Sequence, residues 1–176
     1  PYVFRSDDRG RTFRSIVGDL PNRQPAWSII QDHVNSNLIF VGTEFGLFAS
    51  IDGGATWARM TEGFPTVAVN DIVVHPRDGD LVVGTHGRSI WILDDLTAVR
   101  EWTPAIGQKA AHLFGARPAT RWRTDSAMTR FLKSFGENPA RGALFQYSLG
   151  RKSEGEVAIE ITDASGVLVR RLSSKK

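Results

Sequence analysis

The sequence of 176 residues contains no cysteine, which excludes disulfide bonds, thiolate metal sites and cysteine nucleophiles and leaves the redox compartment open. It has no apolar run near the ~20 residues that a membrane-spanning helix requires, so no membrane span is expected. The glycosylation pattern Asn-x-Ser/Thr is also absent. The first residues, PYVFRSDDRG, have neither a methionine nor a basic start followed by an apolar stretch. This argues against a signal peptide and indicates a piece of a longer chain.

Charge is unevenly distributed along a chain whose composition, 41% hydrophobic and 23% charged, is typical of a globular protein. Residues 1–104 contain 9 basic and 13 acidic side chains, whereas residues 105–176 contain 13 basic and 6 acidic ones. The basic residues from Lys109 to Lys133, with Trp122 and Phe131 nearby, could track a nucleic-acid strand. Because no recognised nucleic-acid motif accompanies them, we expect an arginine-rich connector and no nucleic-acid partner.

One eight-residue phrase occurs twice in the chain. SDDRGRTF at residues 6–13 and SIDGGATW at residues 50–57 share the template Ser-x-Asp-x-Gly-x-Thr-aromatic, 44 positions apart. A longer likeness relates residues 26–57 to residues 68–102, in which Gly-Thr at 42–43 aligns with Gly-Thr at 84–85. The sequence therefore contains two copies of one unit, and the eight-residue phrase occurs once more before them.

Each copy consists of short β-branched and apolar runs separated by turn residues, a pattern typical of antiparallel strands. The first copy contains WSIIQ, NLIFVGT, GLFASI and TWARM, and the second contains NDIVVH, DLVVGT and SIWIL. Four strands in about 42–44 residues is the period of a β-propeller blade. A blade cannot bury both of its faces alone, so the units must stack on neighbours.

The repeated phrase has a mechanical interpretation as a turn. We expect Asp52 to accept hydrogen bonds from backbone amides two residues on, and Gly54 to adopt a positive φ. Ser50 and Thr56 can tie the ends of the turn. Trp57 then enters the next strand, where its ring can wedge between sheets. None of these residue types requires a substrate.

These two phrases resemble the Asp-box, or bacterial neuraminidase repeat, of sialidases, xyloglucanase-type glycosidases and the sortilin luminal domain. The string VNDIVVHPRDGDLVVGTHGRSIWILDD is similar to the last blade of large bacterial Asp-box propellers, although Leu93 replaces the motif serine there. The residues that match the motif are Ser6, Asp8, Gly10, Thr12, Phe13, Ser50, Asp52, Gly54, Thr56 and Trp57.

The resemblance implies an all-β chain with three parts. Residues 1–104 would be a little over two blades of an incomplete β-propeller, and residues 105–143 a connector. Residues 144–176 resemble the start of an immunoglobulin-like sandwich that is truncated here. In this last part, apolar residues alternate along 157–161 and again along 167–172, on either side of the turn sequence DASG.

Strand order predicts which loops share a face. The Asp-box turns lie on one side of the sheets, and the loops at 18–27, 44–46, 61–70 and 86–88 lie on the other, where the resembled family has its substrate groove. Glycoside hydrolysis needs two carboxylates about 5–10 Å apart. The candidates for this face are grouped by role: Glu44, Glu62, Asp71 and His86 for catalysis, and Trp27, Phe45 and Arg88 for substrate binding.

Each candidate has a structural alternative. Glu44 and Glu62 fall in turns where acidic residues are commonly only solvated, Asp71 can cap a strand, and His86 can order its turn. The sequence does not pair the carboxylates. The four histidines are far apart, and no His-x-x-x-His or calcium-loop pattern occurs. We therefore expect no metal and no cofactor.

Two functional hypotheses follow from the resemblance. In the first, the chain is the C-terminal part of a secreted, extracellular or periplasmic propeller related to glycoside hydrolases. It would bind or degrade carbohydrate when intact and be inactive alone, because the missing blades of the parent chain would supply most of the groove. In the second, it belongs to a sortilin-like propeller that binds peptide or protein partners without catalysis. Fold alone does not choose between them.

Overall fold

The computed structural model describes residues 1–119 and 142–175, and the all-β prediction is confirmed. The described chain forms several small antiparallel sheets and two short helices. In chain order the elements are β1 (Phe4–Arg5), β2 (Arg14–Ser15), β3 (Ala26–Gln31), β4 (Ile39–Thr43), β5 (Gly46–Ser50), β6 (Ala58–Met60), β7 (Val69–Val74), β8 (Leu81–Thr85), β9 (Ile90–Leu93), α1 (Thr97–Glu101), α2 (Pro104–Gly107), β10 (Ala111–Leu113), β11 (Tyr147–Leu149), β12 (Ala158–Thr162) and β13 (Leu168–Ser173).

Three sheets follow one another along the first 93 residues. Strands β1 and β2 form a two-stranded sheet, β3 to β6 form a four-stranded sheet, and β7 to β9 form a three-stranded sheet. Neighbours along the chain are neighbours in each sheet, because short turns join antiparallel strands. The strands predicted in both copies of the repeat are confirmed.

The second and third sheets share their internal register. Val41 pairs with Phe48 in the second sheet, and Val83 pairs with Trp91 at the equivalent place in the third. Both first strands are interrupted by a register shift, between Ala26 and Ser28 in β3 and between Val69 and Asp71 in β7. The two copies therefore have the same local fold, including a β-bulge at the same position.

Two apolar layers hold the three sheets together. The first layer lies between β1–β2 and the four-stranded sheet, and the second lies between the four-stranded and three-stranded sheets. The first contains Val3, Ile16, Leu20, Ile39, Val41, Phe48 and Trp57, and the second contains Leu38, Phe40, Leu47, Val69, Ile72, Val74, Leu81, Val83 and Leu96. The middle sheet buries both faces, as stacking of repeats requires.

Helix α1 follows β9 where the preceding copy has its fourth strand. Arg100 of this helix forms a two-point ion pair with Asp32, at 2.7 Å to Oδ1 and 3.1 Å to Oδ2. The Asp32 side chain is fully buried, and its Oδ2 also accepts the amide of Asn35. Burial works to raise the pKa of Asp32, but the Arg100 guanidinium and the backbone amides outweigh it and hold that pKa below its usual range.

The C-terminal residues form two further hairpins. Strand β10 pairs with β11, and β12 pairs with β13 around a turn in which Asp163 Oδ1 accepts the amides of Ser165 and Val167. Strand β10 lies in the segment predicted as a connector, whereas most of that segment's basic residues lie outside the described residues. No helix in the described ranges is long and apolar enough to cross a membrane.

Candidate functional site

The two copies of the repeated phrase form the same hydrogen-bonded turn. Asp52 Oδ1 accepts the amides of Ala55 and Thr56 at 3.0 and 2.9 Å, and its Oδ2 accepts the Thr56 hydroxyl at 2.6 Å. The Ser50 hydroxyl donates to Asp52 and accepts the amide of Gly54. The two amides that Asp52 accepts lie three and four positions beyond it in the chain, not two as expected, because the turn is wider than a simple Asx turn.

Asp8 repeats this network with the amides of Arg11 and Thr12, the Thr12 hydroxyl and the Ser6 hydroxyl. Gly10 and Gly54 have φ values of 83° and 92°, which confirms the predicted use of glycine. Both carboxylate oxygens of each aspartate accept hydrogen bonds from the aspartate's own turn, so neither side chain is free to act on a substrate.

The same hydrogen bonds lower the pKa of both aspartates. For Asp8, the amide and hydroxyl of Thr12 lower the pKa to about 2. For Asp52, burial works to raise the pKa, but the bonds from Thr56, Ser50 and Ala55 outweigh it and bring the pKa to about 2. Both carboxylates are therefore ionised at neutral pH and accept the hydrogen bonds that hold the turn together. Their role is structural.

A cleft of about 480 Å³ opens between the second and third sheets. Its walls are formed by Trp27, Glu44, Ala68, Asn70 and His86. Three of these residues were predicted from the sequence to belong to the functional face, and the structure places those three together. Ala68 and Asn70 lie in the predicted loop segment but were not selected as candidates.

The four polar and aromatic residues of this cleft occupy two equivalent positions of the repeat. Trp27 and Asn70 are the extra residues of the β-bulges in β3 and β7. Glu44 and His86 each follow the Gly-Thr dipeptide that ends β4 and β8. The spacing of 43 positions from Trp27 to Asn70 is the sequence signal that could have identified Asn70.

Local structure fixes these positions. A bulge turns its extra side chain out of the strand's alternation, and bulges are frequent beside functional sites. The Glu44 amide donates to the Pro25 carbonyl at 3.2 Å, and the His86 amide donates to the Ala68 carbonyl at 2.9 Å. These backbone hydrogen bonds hold Glu44 and His86 next to the segment that precedes the bulge in the same sheet.

Trp27 and Glu44 form a direct pair across the cleft wall. The indole Nε1–H of Trp27 donates to Glu44 Oε2 at 2.8 Å, while 57% of the Trp27 residue stays exposed. The exposed ring offers a flat apolar face with a hydrogen-bond acceptor at its edge. Glu44 is the one carboxylate among the described residues that line this cleft, so the pair of carboxylates that hydrolysis requires is not assembled by them.

The other sequence candidates lie elsewhere. Glu62 lines a smaller apolar cleft of about 270 Å³, together with Phe64 and Trp91. Asp71 lies within β7, and its Oδ1 accepts the amide of its neighbour Ile72. Neither of these two carboxylates lines the cleft that contains Glu44.

Phe45 and Arg88 belong to the predicted loops without lining the cleft. The Phe45 carbonyl accepts a hydrogen bond from the Arg59 guanidinium at 2.7 Å, and the Phe45 residue is 48% exposed. The Arg88 carbonyl accepts the Trp91 indole at 2.8 Å, and its side chain is exposed. Their assignment to substrate binding stays a prediction.

A larger cleft of about 550 Å³ lies on the side of the repeated turns, between strands β5–β6 and the α1–β10–β11 region. Trp102, Phe114 and Tyr147 contribute aromatic walls, and no carboxylate of the described chain lines it. The described residues also contain no cluster of three or more potential metal ligands.

Comparison with known proteins identifies a partial relative. The xyloglucanase of Hypocrea jecorina (strain QM6a) is 27% identical over 104 residues, an alignment that covers 54% of this chain and 12% of that protein. The chain thus corresponds to a small part of the relative's length. No family model matches the sequence, and no solved structure matches it.

Proposed function

We propose that this chain is part of an Asp-box β-propeller related to glycoside hydrolases, and that the cleft of Trp27, Glu44, Asn70 and His86 binds a carbohydrate chain. The observation that carries the proposal is the exposed Trp27 ring whose indole is hydrogen-bonded to Glu44 at 2.8 Å. An exposed aromatic face next to a hydrogen-bond acceptor suits a pyranose, which has an apolar C–H face and a rim of hydroxyls.

The partial likeness to a xyloglucanase supports a glucan as the ligand. The stacked sheets and the two identical Ser-Asp-Gly-Thr turns support the interpretation of residues 1–104 as blades. In this proposal residues 105–143 connect the propeller to an immunoglobulin-like domain that begins at residue 144. Secretion, to the extracellular space or the periplasm, is part of the same proposal.

The role proposed for the cleft is binding rather than hydrolysis. A single carboxylate can accept hydrogen bonds but cannot act as both acid and base for a glycosidic bond. We therefore expect no turnover of xyloglucan by the 176-residue chain. Hydrolysis by the parent protein would use groups that this chain does not supply.

A peptide ligand is the second candidate. The apolar cleft beside Trp102, Phe114 and Tyr147 favours it, because an apolar, carboxylate-free groove suits hydrophobic side chains of an extended peptide. The two candidates use different faces of the molecule and can be tested separately.

Calorimetric titration with a xyloglucan oligosaccharide tests the carbohydrate proposal. A Kd near 1 mM corresponds to about 4 kcal/mol, which one stacked ring and a few hydrogen bonds can supply. We expect Trp27→Ala to abolish measurable binding and Tyr147→Ala, a matched control with a half-exposed aromatic ring on the other cleft, to leave it unchanged. Binding that depends on Tyr147 and not on Trp27 would contradict the assignment.

A further inference from the structure

The carboxylate of Glu44 is fixed in position within the cleft. Its Oε2 accepts the Trp27 indole, and no other side-chain hydrogen bond to Glu44 forms within the described residues. The second oxygen therefore remains an available acceptor. Glu44 is partly buried, and its backbone is held by the Pro25 carbonyl. A ligand that enters the cleft meets a negative charge at a defined place.

Among the residues that the structure describes, no ion pair to Glu44 forms. Its neighbours in the cleft are Trp27, Ala68, Asn70 and His86, and neither arginine nor lysine lines the cleft in the part of the chain that the structure describes. An acidic sugar would place a second carboxylate beside the partly buried Glu44. Like charges brought together in this way oppose binding.

A neutral sugar meets the opposite situation. Its hydroxyl groups can donate to the available Glu44 oxygen, and hydrogen bonds to an ionised acceptor are shorter and stronger than neutral ones. The Trp27–Glu44 hydrogen bond sets the acceptor at the edge of the exposed ring. A pyranose stacked on that ring therefore brings its hydroxyl rim toward the carboxylate without further rearrangement.

We infer that Glu44 is a specificity-determining residue that admits neutral glycans and rejects acidic ones, with Trp27 as the residue that positions it. The inference rests on the proposed carbohydrate function of the cleft and adds a selectivity for uncharged sugars, with the residue that produces it. Each copy of the repeat contributes one pair to this site, Trp27 and Glu44 from the first and Asn70 and His86 from the second, and the two pairs together form one neutral sugar subsite.

A matched pair of ligands tests this selectivity. Cellotetraose and the corresponding tetraglucuronic acid have the same β-1,4 linkage and differ in the oxidation of C6. Titrations at one pH and low ionic strength are carried out on the whole chain, on Glu44→Gln and on Glu62→Gln. The glutamine at 44 is isosteric and can still accept the Trp27 indole, so the stacking platform is preserved. Glu62 lies in a different cleft and serves as the control.

We expect the wild-type chain to prefer the neutral ligand and Glu44→Gln to reduce that preference at least about tenfold, with Glu62→Gln unchanged. The wild-type preference should also shrink as salt is added, because screening weakens the repulsion. Neutral binding with an unchanged preference in Glu44→Gln, or equal wild-type affinities for both ligands, would overturn the inference and leave the proposed function standing. Failure of both ligands to bind would overturn both.

Discussion

The second and third sheets are copies of one unit, yet they bury equivalent residues very differently. Leu47 in β5 is 2% exposed because the third sheet covers it, whereas the equivalent Ile90 in β9 is 69% exposed. The first and second copies of the turn differ in the same way, since Trp57 is 8% exposed and Phe13 is 67% exposed. Each copy determines its own turns and register, while burial depends on a neighbouring sheet.

The largest expected contrast is between Trp57 and Phe13. Trp57 lies in the first apolar layer, and its indole donates to the Ile16 carbonyl at 3.0 Å. We expect Trp57→Ala to lower the free energy of unfolding by about 4 kcal/mol. Phe13→Ala removes an exposed ring and should change it by less than about 0.5 kcal/mol. Urea unfolding of both variants measures the difference, and equal losses would contradict the view that burial distinguishes the copies.

Asp32 and His75 are the next pair, 43 positions apart in the repeat. Both accept a local amide, but Asp32 is buried against Arg100 whereas the His75 side chain is 43% exposed. Asp32→Asn leaves the Arg100 guanidinium without its charged partner and should lower the free energy of unfolding by about 3 kcal/mol. His75→Asn should cost well under about 1 kcal/mol. Thermal unfolding measures both losses of stability. A small loss for Asp32→Asn would show that the ion pair does not stabilise the packing of α1 against the second sheet.

Gly42 and Gly84 provide a third contrast. A methyl group on Gly42 would lie 2.4 Å from Ser28 Oγ and 2.5 Å from Val69 Cγ1, whereas on Gly84 its nearest neighbour would be Asp71 Cβ at 3.6 Å. We expect Gly42→Ala to cost about 2 kcal/mol through overpacking. Gly84→Ala should be close to neutral. Urea unfolding of both variants measures the difference. Equal destabilisation would mean that Gly84 has less free space around it than the structure indicates.

The smallest contrast concerns pH, because the two turns should behave alike. The pKa values of Asp8 and Asp52 are both lowered to about 2. A carboxylate with a lowered native pKa stabilises the fold above its ordinary pKa near 4, and this contribution is lost as the pH falls toward 2. Carboxyl carbon NMR titration should give both aspartates the same low midpoint despite their different aromatic neighbours. An ordinary value for Asp8 alone would show that the turn requires a covering sheet.

Much of the fold could be predicted because the signals are local. Alternating apolar residues and Gly-, Asp- and Asn-rich turns predicted the strands of both copies, and the Ser-Asp-Gly-Thr spacing predicted the turn. Helix α1 at 97–101 could not be predicted, because its position depends on the Asp32–Arg100 pair and on Gln146, which lies 48 positions beyond Ala98 and accepts its amide.

The site was only partly predictable for a related reason. The order of the loops predicted that Trp27, Glu44 and His86 lie on one face. The structure places these three residues together in one cleft. The direct contact of Trp27 with Glu44 depends on the β-bulge at residue 27, which the sequence did not reveal. Glu62 instead lines a different cleft with Phe64 and Trp91, which loop order did not predict.

The most direct test of the central claim follows the tryptophan indole signals by NMR during titration with a xyloglucan oligosaccharide. Trp27 and Trp57 both have hydrogen-bonded indole protons, one in the proposed sugar cleft and one in the apolar layer behind the repeated turn. Carbohydrate binding at the cleft predicts a progressive shift of the Trp27 indole proton with the Trp57 signal unchanged. A Trp27 signal that does not move at saturating ligand would contradict it.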